Sequence, residues 1–183
     1  MSRTAFVAAL AAFALGASLL AQNRPVFEQP LLITSAGQSA DGQLAAVLAK
    51  KAELKADLVK MAAPKDLAGH KTLVLVLGAS MKGLGAAGLD TAKEKDRIKD
   101  LLAAAKAQSI PVLCLHLGGE ARRGELTDAM VAEYLPSAKM AIVVKSGDKD
   151  GLFTKIAKDK GVPLIEVDKT LDAVPPLKAA FAK

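Results

Sequence analysis

The sequence has one cysteine, two histidines, no tryptophan and only 3% aromatic residues. The lone Cys114 cannot close an internal disulfide, so the hydrophobic core must hold the fold unaided. Two histidines and one cysteine do not make a metal-ligand cluster, and neither a metal nor a cofactor is expected. Nucleic acid is excluded as a partner on similar grounds. Base stacking needs aromatic faces and strong binding needs clustered cations, whereas these lysines are scattered along helical stretches between apolar positions. Repeats of solenoid length, a heptad seam and a Walker A loop are also missing.

What is present is an ordinary globular composition. The chain has 183 residues, 51% hydrophobic and 24% charged, with a net charge of +6. That suits one domain with a real core and is too apolar for a disordered chain. Arg3, the apolar run Ala5 to Leu20 and the small residue Ala21 fit a secretory signal peptide over residues 1–21. Residues 22–30 read as a linker and 31–183 as a single domain, periplasmic or extracellular. The membrane is a partner only if the signal stays uncleaved.

The remaining sequence alternates strands and helices. Leu31 to Ser35, Asp57 to Met61, Thr72 to Leu77, Pro111 to Leu117, Met140 to Val144 and Val162 to Val167 read as strands. Helical spacing follows in Leu44, Val47 and Leu48, in Ile98, Leu101, Leu102 and Ala105, in Leu126 to Leu135, in Leu152 to Lys160, and in a Pro-interrupted Leu171 to Phe181. Thr91 and Glu94 have capping-box spacing at a helix start. This alternation predicts a three-layer α/β sandwich. Its five- or six-stranded, mainly parallel sheet would be flavodoxin-like or Rossmann-like, with strand order 2-1-3-4-5. Ligands on such folds sit beyond the carboxyl ends of the strands, near the switch point.

The loops predicted at that edge hold the candidate residues. Thr34 to Gly42 offers Ser35, Gln38 and Ser39 beside a helix N-terminus, with helix capping by Ser39 or Asp41 as the plainer reading. Gly118 to Gly124 carries Glu120, Arg122 and Arg123; arginine suits bidentate recognition of an oxyanion. Lys82, His116 and Lys145 stand at the rim. Gly83 to Gly88 matches G-x-G-x-x-G, but the glycines are set back from the strand end and no ribose-binding acid follows, so it reads as a loop of small residues. Gly78-Ala79-Ser80-Met81-Lys82 departs from a nucleophile elbow at Lys82.

The segments ITSAGQSAD (Ile33 to Asp41), LGASMKGLGAAG (Leu77 to Gly88), HLGGEARRG (His116 to Gly124) and KSGDKDGLFTKIAK (Lys145 to Lys158) resemble an uncharacterised family of exported bacterial proteins, the domain of unknown function 6305 family. The resemblance spans nearly all of the chain after the signal. It implies one exported domain with these loops as its hallmark, and it brings no activity and no catalytic residue.

The residues themselves lead to an exported protein that binds a small anionic molecule at the sheet edge. Arg122 and Arg123 would neutralise the ligand and Ser35, Gln38 and Ser39 would orient it. An envelope transporter or other envelope protein would be its partner. The alternatives are a periplasmic hydrolase or transferase using His116 or Glu120 as acid-base in the same cleft, and an envelope protein-interaction module.

Overall fold

A computed structural model describes residues 27–181. The expected signal peptide and residues 22–26 of the linker lie outside the described residues.

Six strands form one sheet: β1 (Leu31–Ala36), β2 (Ala56–Leu58), β3 (Thr72–Leu77), β4 (Val112–His116), β5 (Met140–Val144) and β6 (Leu164–Val167). Every pairing is parallel and the order is β2-β1-β3-β4-β5-β6. This is the α/β sandwich expected, with a sixth strand added beyond β5. Leu31 pairs with Thr72 and Ala36 with Leu77, so β1 and β3 end level with each other at the centre. All side chains of β1, β3, β4 and β5 are buried. That is why these strands read as continuous apolar runs.

Among the described residues six helices cover the sheet: α1 (Asp41–Lys51), α2 (Met81–Ala86), α3 (Thr91–Ala107), α4 (Glu125–Tyr134), α5 (Leu152–Lys160) and α6 (Val174–Ala179). The alternation of side chains along each strand divides the core in two. Leu32, Leu73, Leu75 and Cys114 pack with Ile98 and Leu101 of α3, Met130 and Val131 of α4 and Phe153 of α5. On the other face, Leu31, Ile33, Val74 and Leu113 pack with Ala45 and Leu48 of α1 and Leu177 of α6.

Several details differ from the sequence reading. Leu44 and Val47 of α1 are each 43% exposed. The face turned to the sheet is Ala45, Leu48 and Ala49, whose small alanines let the helix lie close. The cap of α3 is Asp90, which accepts the Lys93 N–H at 2.8 Å, and Glu94 points into the protein instead. Pro175 and Pro176 open α6 in the first turn, where a missing N–H costs nothing. The stretch read as a loop of small residues begins as helix α2. Ser80 caps it by accepting the Gly83 N–H at 3.1 Å.

Candidate functional site

The chain leaves β1 and β3 in different directions, because β2 lies on one side of β1 and β4 on the far side of β3. A groove of about 570 Å³ opens between the two loops, and Ser35, Gln38, Ser39, Ser80, Lys82 and Arg122 are among its lining. The loops themselves meet backbone to backbone. Gly37 has φ 101°, and a Cβ there would lie 2.5 Å from the Ala79 Cα, so no side chain fits. Ser80 N–H donates to the Gly37 carbonyl at 2.8 Å. A Cβ on Gly83 would lie 1.9 Å from the Gln38 carbonyl oxygen.

Beneath the groove an ion pair fixes the first loop. Glu94 is fully buried and takes two hydrogen bonds from Arg97, from Nε and Nη2, each at 2.8 Å. Its Oε1 also accepts the Gly37 N–H at 2.8 Å. Gln38 Nε2 donates to both Glu94 oxygens at 3.3 Å and to the Lys60 carbonyl at 3.2 Å. Arg97 donates onward to the carbonyls of Ser35 at 2.6 Å and Ala62 at 2.9 Å. The reading of the sequence missed this pair. The signal was there: Glu94 lies on the stripe of Ile98, Leu101 and Ala105, where an acid must be buried, and Arg97 stands one turn away.

Ser39 lines the groove, and Asp41, two residues on, is buried behind that lining. Ser39 is buried; its hydroxyl oxygen accepts the Asp41 N–H at 3.3 Å, and its carbonyl accepts Ser35 Oγ–H at 3.5 Å. The hydroxyl proton of Ser39 is thereby left free to donate. Asp41 is 3% exposed. Its Oδ1 accepts from Arg122 Nε at 3.3 Å, and its Oδ2 has no hydrogen-bond partner among the described residues. Two glycines make room for that oxygen. A Cβ on Gly78 would lie 3.2 Å from both Asp41 Oδ2 and Ser39 Oγ, and one on Gly118 would lie 2.6 Å from the same Oδ2. A buried carboxylate oxygen without a donor is costly and uncommon. Its lone pairs are free to accept a proton.

The remaining candidates belong to a second cluster, under β4 and β5. Arg123 binds Asp128 Oδ1 at 2.6 Å, the Gly147 carbonyl at 2.5 Å and both oxygens of Asp150 at 2.9 and 2.8 Å. Donating to Asp150 and Asp128 pushes the guanidinium further up, and the hydrogen bonds from Arg123 hold the Asp150 carboxyl well below the usual carboxylate range. Glu120 is exposed and pairs with Lys149 at 2.5 Å. Lys145 is exposed in the 3₁₀ turn after β5. His116 is fully buried; Nδ1 faces the Leu77 carbonyl at 2.9 Å and Nε2 the Gly119 carbonyl at 3.1 Å. The other histidine, His70, is bound to Asp57 at 3.0 Å. Neither imidazole therefore stands as a free base beside Ser39. No group of three or more possible metal ligands occurs among the described residues, and none of the described helices is long and apolar enough to cross a membrane.

The family described as Domain of unknown function (DUF6305) matches residues 28–181. A search of curated proteins finds no match. Among solved structures, the chain is similar to one described as a lipolytic protein of the G-D-S-L family from Desulfitobacterium hafniense DCB-2. The identity is 12% and the TM-score 0.35, over 79% of this chain and 77% of that one. It is also similar to AlinE4, described as an SGNH-hydrolase family esterase, at 15% identity and TM-score 0.31, over 84% of this chain and 82% of that one. The expectation of a protein that binds a small anion is corrected here. The arginines meant for the anion already face carboxylates, Arg122 on Asp41 and Arg123 on Asp128 and Asp150.

Proposed function

The chain belongs to the DUF6305 family, a domain of unknown function, and we propose that this member is a hydrolase of small ester-like substrates, working in the groove between β1 and β3. The observation that carries the reading is Asp41 Oδ2, buried without a partner; it and the Ser39 hydroxyl would each lie 3.2 Å from a Cβ on Gly78, and the hydroxyl turns to it in the reaction. In the reaction, Ser39 Oγ adds to the substrate carbonyl carbon as its proton passes to Asp41 Oδ2. The C–O bond of the ester breaks and the alcohol leaves with that proton. Water, deprotonated by the same carboxylate, then cleaves the acyl group from Ser39 and returns the hydroxyl. The Gly42 N–H, in the first turn of α1 and in the groove lining, supplies a donor for the developing oxyanion. Leu58, Ala86 and Ala87 give the acyl part an apolar wall.

The experiment is a panel of p-nitrophenyl esters of increasing acyl length, offered to the full chain and to Asp41→Asn and Ser39→Ala. General-base assistance is worth on the order of 10²–10⁴-fold, so each variant should lose at least that much turnover while melting close to the parent. An inert parent protein, or variants that keep its rate, would end the proposal.

A further inference from the structure

Large apolar side chains left in the open are few: Leu44, Val47, Met61, Met81 and Leu171 among the described residues. Two of them stand at the mouth of the groove, and each has a lysine as its chain neighbour. Lys60 and Met61 follow β2; Met81 and Lys82 open α2. Met61 is 49% exposed and Met81 69%. Lys60, Met61 and Lys82 line the groove, and Met81 lies between Ser80 and Lys82, which also line it. Both lysines are exposed, and neither takes part in an ion pair among the described residues.

The two lips share one support. Gln38 Nε2 donates to the Lys60 carbonyl on one side, and the Gln38 carbonyl packs against Gly83 on the other. The ion pair of Glu94 and Arg97 holds Gln38 from below. Two methionine–lysine pairs therefore flank a single opening on a rigid base. An exposed apolar side chain with a cation beside it suits an interface that is apolar inside and negative at its surface. Methionine, unbranched and polarizable, adapts to such a disordered boundary. The chain's net charge of +6 acts in the same direction at longer range.

We infer that these two lips dock the protein on a bilayer surface containing anionic lipid, the methionines entering among the headgroups and the lysines meeting their phosphates. The docking does not depend on the hydrolase reading, and its test uses no turnover. A fluorophore sensitive to polarity is attached to the full chain at Ala86→Cys, in the groove lining, or at Ser137→Cys, in a cleft at the opposite, amino-terminal edge of the sheet. Cys114 is buried, its thiol pushed up to about 12, and stays unlabelled. Vesicles of phosphatidylcholine, or of an equimolar mixture with phosphatidylglycerol, are then added.

The expected result is a blue shift at position 86 with the anionic vesicles alone and none at position 137. Each lysine near an anionic surface is worth about fivefold in partitioning. The Lys60→Ala, Lys82→Ala pair should thus weaken binding about 25-fold, and the Met61→Ser, Met81→Ser pair should remove the shift. Residues 1–26 join the chain just ahead of the amino-terminal end of β1, so any membrane affinity of their own would favour a shift at position 137 and not at 86. No shift at 86, an equal shift at both positions, or a shift indifferent to the lysine pair overturns the inference.

Discussion

Arg122 holds one oxygen of Asp41 at 3.3 Å and leaves the other buried without a partner. Asp148 makes a useful contrast, since both of its oxygens are used: Oδ1 accepts Phe153 N–H at 2.7 Å, and Oδ2 accepts Thr154 N–H at 3.0 Å and Thr154 Oγ–H at 2.5 Å. A residue kept for stability uses all its acceptors; one kept for chemistry need not. Asp148→Ala should therefore cost about 2 kcal/mol, as loss of a capping carboxylate does. Asp41→Ala should cost under about 1 kcal/mol, because Arg122, with 33% of its side chain exposed, can turn to water. Urea melts of the two variants decide it. A larger loss at Asp41 than at Asp148 would make Asp41 a structural residue.

Glu94 lies at the other extreme. It joins Arg97, Gly37 and Gln38, and nothing of it reaches solvent. Its removal strands a guanidinium whose side chain is only 11% exposed. Breaking a buried pair from one side costs about 3–5 kcal/mol, so Glu94→Ala should unfold at much lower urea. Glu94→Gln keeps an acceptor for the Gly37 N–H and should recover part of that loss. Equal stabilities for Ala and Gln would show that the charge alone matters there.

The sheet was legible because its central strands are buried on both faces, which makes TLVLVL and VLCLH continuous apolar runs. The place of the groove followed from strand alternation, and Ser35, Gln38, Ser39, Lys82 and Arg122 do line it. What could not be read was pairing between distant loops. Arg122 lies 81 positions from Asp41, and Arg123 lies 27 from Asp150. The adjacent arginines looked like one oxyanion site, yet they turn to different carboxylates in different clusters. In sequence, capping by Ser39 or Asp41 is the plainer reading of the loop that holds them. The orphaned oxygen of Asp41 exists only through Gly78 and Gly118, which the sheet brings alongside.

Gly83 and Gly85 lie two apart in α2, in opposite circumstances. A Cβ at Gly83 would meet the Gln38 carbonyl oxygen at 1.9 Å, and at Gly85 it would meet nothing within 4 Å. Alanine is better than glycine in a helix by roughly 0.5–1 kcal/mol. Gly85→Ala should therefore gain about that much. Gly83→Ala must push the first loop from the helix and should lose roughly 1–3 kcal/mol, as overpacking does. Thermal melts of the two variants that moved in the same direction would contradict the close approach of α2 to Gln38.

Asp150 gives the chain part of its acid sensitivity. The hydrogen bonds from Arg123 hold its folded-state carboxyl below the unfolded value, which is roughly 3.9 for a free aspartate. A depressed acid adds stability above the unfolded value and loses it as pH falls through the folded one. The window therefore opens near pH 4 and extends downward. Arg123 stays charged throughout, since its own shift is upward. Asp150→Asn should melt below the parent at pH 7 and approach it as the pH drops through that window. Because Asp150 is largely exposed, added salt should narrow the gap at pH 7. Melting curves that stay parallel across the acid range would mean that this pair contributes nothing to stability, and that Arg123 is held by Asp128 and the Gly147 carbonyl alone.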